Sequence, residues 1–159
     1  MSNGKDRRAT AERFARAGVD NEKGLDAKES AMRIFAAKGE GADAARIIVN
    51  PTGEAIEVVD PELIRGRHED IVIWFCENRT NQSIKVELRD FKKRFSRKDV
   101  PPPVDFQTAN PVGVPANGNA LIVGSVNRDP KAIEFFKYTV RVSHGGQVHD
   151  HDPDLEIKP

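Results

Sequence analysis

The densest set of metal-ligating side chains in this chain of 159 residues is the run from Ser143 to Asp152, SHGGQVHDHD. Three of the four histidines fall within it, interleaved with carboxylates. On an extended segment, side chains two apart share a side. His149 and His151 could therefore offer two imidazoles to one Zn, Ni or Cu ion. His144 could return across the Gly145-Gly146 turn as a third ligand. Asp150 and Asp152 point to the opposite side of an extended segment, and in a loop they could support the ligands. The same composition also suits a solvated polar loop, because a short His-rich tract is compositional evidence only.

A second run, Arg89 to Lys98 (RDFKKRFSRK), carries Arg89, Lys92, Lys93, Arg94, Arg97 and Lys98, with Phe91 and Phe95 among them. Such a segment could grip phosphates by charge while a ring stacks on an unpaired base. It could equally meet an anionic lipid surface or an acidic protein face. The competing reading has both phenylalanines anchoring a crossover loop while the charges face water. The overall balance favours that reading: 25 basic and 25 acidic residues leave no net charge, which excludes a bulk polyanion binder.

Nothing points to an enzyme. There is no G-x-S-x-G, H-E-x-x-H or Walker sequence, and Ser143 beside His144 is adjacency rather than triad geometry. A single cysteine leaves neither a disulfide framework nor a CxxC site. Cys76 lies in an apolar run and reads as an inert buried thiol with a raised pKa. His68 reads as a surface residue and Trp74 as core.

The elements that must position these residues fall into two parts. Residues 1–45 are rich in Ala, Lys, Arg and Glu. Asp26 and Glu29 form a capping-box-like start, Ala31, Met32, Ile34, Phe35 and Ala36 follow, and Lys38-Gly39 makes a stop, so a helix is expected over about 27–38. A weaker helical tendency covers residues 8–17, where Phe14 is the only large apolar side chain. So short a helix is marginal in water unless it docks, and residues 1–45 read as a short helical or disordered extension. From Arg46 to Pro159 the chain turns β-rich. Strands are expected at 46–49, 54–59, 70–76, 83–88, 119–126, 134–142 and 155–157. Ile84, Val86 and Leu88 face inward, as do Phe136, Tyr138, Val140 and Val142. Pro101 to Pro103 reads as a stiff polyproline spacer, and Asn117-Gly118 as a tight hairpin turn. Strands of this length and spacing predict an antiparallel β-sandwich over residues 46–159, cupredoxin-like or immunoglobulin-like.

The runs Val59–Ile64 (VDPELI) and Glu69–Asn78 (EDIVIWFCEN), with Phe136–Val142 (FKYTVRV) and Asp152–Ile157 (DPDLEI), resemble the opening and closing strands of cupredoxins. The resemblance implies that sandwich fold without the type 1 copper centre. Where the family's first His would follow Asn78 stands Thr80–Ile84 (TNQSI), Cys76 sits in the central strand, and Met1 and Met32 lie outside the sandwich.

The function expected from these residues is a non-enzymatic binding module that presents sandwich loops or an edge strand to a protein partner. Self-association is a variant of it, between the basic segment and the acidic Asp150, Asp152, Asp154 and Glu156. Metal binding through His144–His151 is the first alternative, and nucleic-acid or anionic-surface contact through residues 89–98 the second. No cofactor is expected unless the histidine run holds Zn, Ni or Cu. No apolar run reaches the roughly 20 residues of a membrane span. The N-terminus is charged from Lys5 and has no apolar stretch of the kind a secretory signal needs, so a cytoplasmic chain is expected.

Overall fold

The computed structural model describes residues 42–51, 56–60 and 63–159, and the helix expected over 27–38 lies outside them. The described residues form eleven strands. They are β1 (Ala42–Val49), β2 (Ile56–Asp60), β3 (Leu63–Arg67), β4 (Ile71–Asn78), β5 (Ile84–Lys93), β6 (Val104–Phe106), β7 (Val112–Val114), β8 (Asn119–Val126), β9 (Glu134–His144), β10 (Gln147–His151) and β11 (Asp154–Lys158). The first sheet runs β2-β1-β4-β8-β6 and the second β3-β11-β9-β5-β7, with β10 also paired to β9. The expected β-sandwich is what the chain forms. Among the described residues no helix is long and apolar enough to cross a membrane.

Two pairings depart from the antiparallel expectation: β1 lies parallel to β4, and β3 parallel to β11. A parallel pair cannot be closed by a tight hairpin and needs intervening chain. Here β2 and β3 separate β1 from β4, and most of the domain separates β3 from β11. Neither relation is visible in the alternation of a single segment.

Side-chain parity places the core. Val72, Trp74 and Cys76 of β4 face the second sheet, as do Ala120 and Ile122 of β8. They meet Val86 and Leu88 of β5 and Phe136, Tyr138, Val140 and Val142 of β9. At the centre the Trp74 indole N–H donates to the Tyr138 hydroxyl at 3.0 Å, satisfying both polar atoms where water is excluded. The Tyr138 ring stacks on Phe91 with centroids 5.4 Å apart. Burial pushes the Cys76 thiol up to about 12, so it carries no thiolate at neutral pH, as expected of an inert core cysteine.

Strand β5 runs five residues beyond Leu88 because a bulge resets its parity. The register moves from Arg89↔Thr139 to Lys92↔Lys137, and Asp90 takes a positive φ of 53°. Plain alternation would turn Asp90 inward after Leu88. The extra residue turns Phe91 in instead, 2% exposed.

The Asn117-Gly118 turn does not close a hairpin. Strand β7 pairs with β5 in the second sheet and β8 with β4 in the first, so this turn carries the chain from one sheet to the other. Gly118 donates its N–H to the Pro115 carbonyl at 2.9 Å, and a Cβ there would stand 2.6 Å from the Pro115 ring. The position admits no side chain.

Candidate functional site

Strands β5 and β9 pair over most of their length, so the His144 hairpin and the turn after Lys93 come to lie at opposite ends of one sheet. Asp150 and Asp152, bonded to Arg141 and Thr139, stand near the register of Glu87 and Arg89. A ten-residue strand spans about 30 Å, and no single site joins the two ends.

At one end, β9 turns into β10 through Gly145 and Gly146, both at positive φ, as the twist of a two-residue hairpin demands. His149 and His151 stand opposite Val142 and Val140, on the side of β10 expected from their spacing. The His144 and His149 rings stack with centroids 5.7 Å apart and an interplanar angle of 19°. Stacked imidazoles present faces to each other, whereas a shared ion needs ring nitrogens converging in their own planes at about 2 Å. Asp150 and Asp152 are engaged elsewhere. The Arg141 guanidinium donates to both carboxylate oxygens of Asp150 at 2.9 and 3.0 Å and holds that carboxyl below its usual range. The Thr139 hydroxyl donates to Asp152 at 2.8 Å. Among the described residues no group of three or more His, Cys, Asp or Glu side chains is assembled around a point where an ion could sit.

Beside this hairpin, Ser83 and Lys85 of the β5 edge, Gly113 and Pro115 around β7, and His144 and Val148 line an open cleft of about 620 Å³. The buried Asn78 holds its far wall. Its amide nitrogen donates to the carbonyls of Gln82 at 2.8 Å and Pro115 at 3.0 Å, while its oxygen accepts from the Thr80 N–H and hydroxyl.

The other end of the sheet carries the basic run, and nearby carboxylates neutralise half of it. Arg89 pairs with Glu87 and Asp90, Lys92 with Asp99, and Lys93 with Glu134. Glu134 also takes two hydrogen bonds from Arg128, at 2.7 and 3.0 Å. Those bonds, with help from Lys93, hold its carboxyl below the ordinary value. The acidic strand is likewise occupied within the chain: Asp154 pairs with Lys137 and Glu156 with Arg65.

What remains is Arg94, Phe95, Arg97 and Lys98, on the turn that leaves β5. The Ser96 N–H donates to the Lys93 carbonyl at 3.0 Å, which closes the turn. Phe95 sits at its third position with a φ of 66° and is 98% exposed. Gly or Asn is the usual occupant there, and a left-handed backbone costs any residue with a Cβ roughly 1–2 kcal/mol. The phenylalanines at 91 and 95 therefore part company: Phe91 anchors the core as the structural reading expects, and Phe95 anchors nothing. The Arg94 guanidinium lies 5.2 Å from the centre of the Phe95 ring and 5.6 Å from that of Phe135. Phe135 and Ile133 are also exposed, so three of the four large exposed apolar side chains among the described residues gather at this end. Sequence reasoning missed Phe135 and Ile133 as surface groups. Parity from Phe136 was the one signal that could have found Phe135.

No known protein family's sequence profile matches the chain, and no curated protein matches it significantly. Among solved structures it is similar to the CupB2 chaperone of Pseudomonas aeruginosa, at 15% identity and a TM-score of 0.46 over 72% of this chain and 53% of that one. It is similar to a chain of the CsuC–CsuE chaperone–tip adhesion subunit complex of Acinetobacter baumannii, at 12% identity and a TM-score of 0.49 over 62% and 54%. The PapD-like domain 7 of human CEP192 is 9% identical with a TM-score of 0.47, over 61% and 80%. The chain spans about half the length of the two chaperone-related chains. At these values the likenesses assign neither family nor function, and the architecture rests on the strand pairings above.

Proposed function

We propose that this domain is a non-enzymatic protein-binding module and that the turn at Phe95, with Phe135 and Arg94 against it, is the surface that binds. One observation carries the reading: Phe95 is almost wholly exposed in a backbone conformation that disfavours a side chain, and it supports no packing of its own. Strain kept without a folding benefit is the mark of a residue retained for contact. An aromatic ring beside an arginine is also the composition of interface hot spots. Arg97 and Lys98, exposed on the same turn, direct the site toward a partner face with acidic residues around an apolar centre.

The nucleic-acid alternative is weakened by the pairing of Arg89, Lys92 and Lys93, because polyanion affinity scales with the number of phosphates neutralised. The test compares two exposed apolar residues at opposite ends of the sheet. Chemical cross-linking in a lysate should give adducts to the wild-type chain that disappear in Phe95→Asp and persist in Val148→Asp. Adducts that survive Phe95→Asp unchanged would refute this surface. Tight, salt-sensitive binding of a labelled single-stranded oligonucleotide would replace the reading by the nucleic-acid one.

A further inference from the structure

The first sheet has two apolar faces, and only one of them meets the second sheet. Ala44, Ile71, Ile73, Phe75, Leu121 and Val123 form a separate cluster, 0–5% exposed. They alternate with the core residues of β1, β4 and β8. Their register confirms a shared outer face, since Ile73 lies between Ala44 and Val123, and Phe75 faces Leu121 across the ladder. No described strand lies across this face, because each belongs to one of the two sheets. These side chains are nevertheless almost wholly withdrawn from solvent.

We infer that the outer face of the first sheet is the docking surface for the chain's own segment 27–38. Three observations select that segment. The connections left undescribed within the domain are only residues 52–55 and 61–62, too short to cover three strands. Of the 41 residues before β1, the stretch 27–38 carries Met32, Ile34 and Phe35, whereas the stretch 8–17 has only Phe14. Three residues separate its end at Lys38 from Ala42, and Gly39 and Gly41 in that short link let the chain reverse onto the strand it enters. The dimensions agree. A twelve-residue helix is about 18 Å long and 10 Å across. The patch spans three strands at about 4.8 Å spacing and the four-residue rise from Ile71 to Phe75 of about 13 Å. The small Ala44 leaves room on the β1 side. In this reading the N-terminal segment is a third layer of the domain, and it closes an apolar face that would otherwise pair copies of the chain.

The experiment uses the full chain with p-benzoylphenylalanine in place of Phe35. Irradiation should cross-link it within one chain to β4 or β8, at Ile73, Phe75, Leu121 or Val123 by peptide mapping. Cross-links to a second copy, to another part of the chain, or none at all overturn the inference. The variant Phe35→Asp gives an independent reading. Dye binding to exposed apolar surface should rise about threefold or more, and Tm should fall by about 5 °C. Dye binding and Tm equal to wild type overturn the inference as well. Neither outcome depends on the Phe95 surface.

Discussion

The two ends of the second sheet carry similar sequence, runs of charge with histidine or phenylalanine set among them, and the fold treats them oppositely. At the β9–β10 hairpin the chemistry suggested by the residues is absorbed. Asp150 is held by Arg141, Asp152 by Thr139, and two of the three histidines stack on each other. At the β5 turn nearby carboxylates absorb Arg89, Lys92 and Lys93 and leave an aromatic ring standing in solvent. Arg141 finds its counter-charge directly opposite, on Asp150 of β10, whereas Arg89 takes Glu87 and Asp90 of its own strand, Lys92 takes Asp99 and Lys93 takes Glu134. Function is therefore better sought in what pairing leaves over than in the density of reactive groups.

The largest effect should fall on Phe95. Replacing it with Asp should lower partner binding at least about tenfold, the scale of a central aromatic hot spot, while His144→Ala with His149→Ala changes binding by less than about twofold. Quantified cross-link yield or surface plasmon resonance against an isolated adduct would measure both. If the histidine pair mattered more, the ranking of the two ends would be reversed. The next effect has the opposite sign for stability. Phe95→Gly removes the left-handed strain and should stabilise the fold by about 1 kcal/mol, read as a rise in Tm of a few degrees, while binding is lost. Stability gained as binding disappears separates a contact residue from a structural one. A Tm that falls would show that Phe95 supports the fold.

Much of the fold was legible in the sequence. The alternation of Ile84, Val86 and Leu88, and of Phe136 to Val142, marked their inward faces, and the double-sided apolar run at Ile71 to Cys76 marked a strand covered on both sides. What was not legible depended on relations between distant segments. The parallel partners of β1 and β3 are chosen by the whole topology. The bulge at Asp90 turns Phe91 into the core while the turn after Lys93 carries Phe95 into solvent, and a one-residue insertion leaves no trace in composition. Asn117-Gly118 had the residues of a turn but not the information that its flanking strands belong to different sheets. At the candidate sites the residue types were visible, and their partners across the ladder were not.

A smaller effect tests the ion pairs that separate Phe95 from the rest of the basic run. Glu134 is bonded by Arg128 and Lys93, and its carboxyl titrates below its ordinary 4.5. A carboxylate with a lowered folded pKa contributes stability above its unfolded pKa and loses it as pH falls through the folded one. Glu134→Gln should therefore cost up to about 1 kcal/mol at neutral pH, limited by the solvent exposure of both cations. The difference from wild type should shrink as the pH is lowered through 4 and beyond. Urea titrations at a series of pH values would show it. A difference that grows in acid would mean that the pairing is not what holds Glu134 charged.

The smallest effect is expected at the histidine hairpin. Asp150 is already neutralised by Arg141, and the His144 and His149 rings lie near parallel with centroids 5.7 Å apart. A Zn, Ni or Cu ion would have to break the stack, turn two imidazoles edge-on and draw a carboxylate out of a bidentate ion pair. Binding to the native state stabilises it by RT ln(1 + L/Kd) at free ligand concentration L, and Tm rises accordingly. Adding an equivalent of Zn to the chain without a His tag should shift Tm by less than about 1 °C, and His149→Ala should leave even that unchanged. A rise of several degrees that His149→Ala abolishes would show the hairpin rearranging to ligate, and would move the site from what the ladder leaves over to what it holds in reserve.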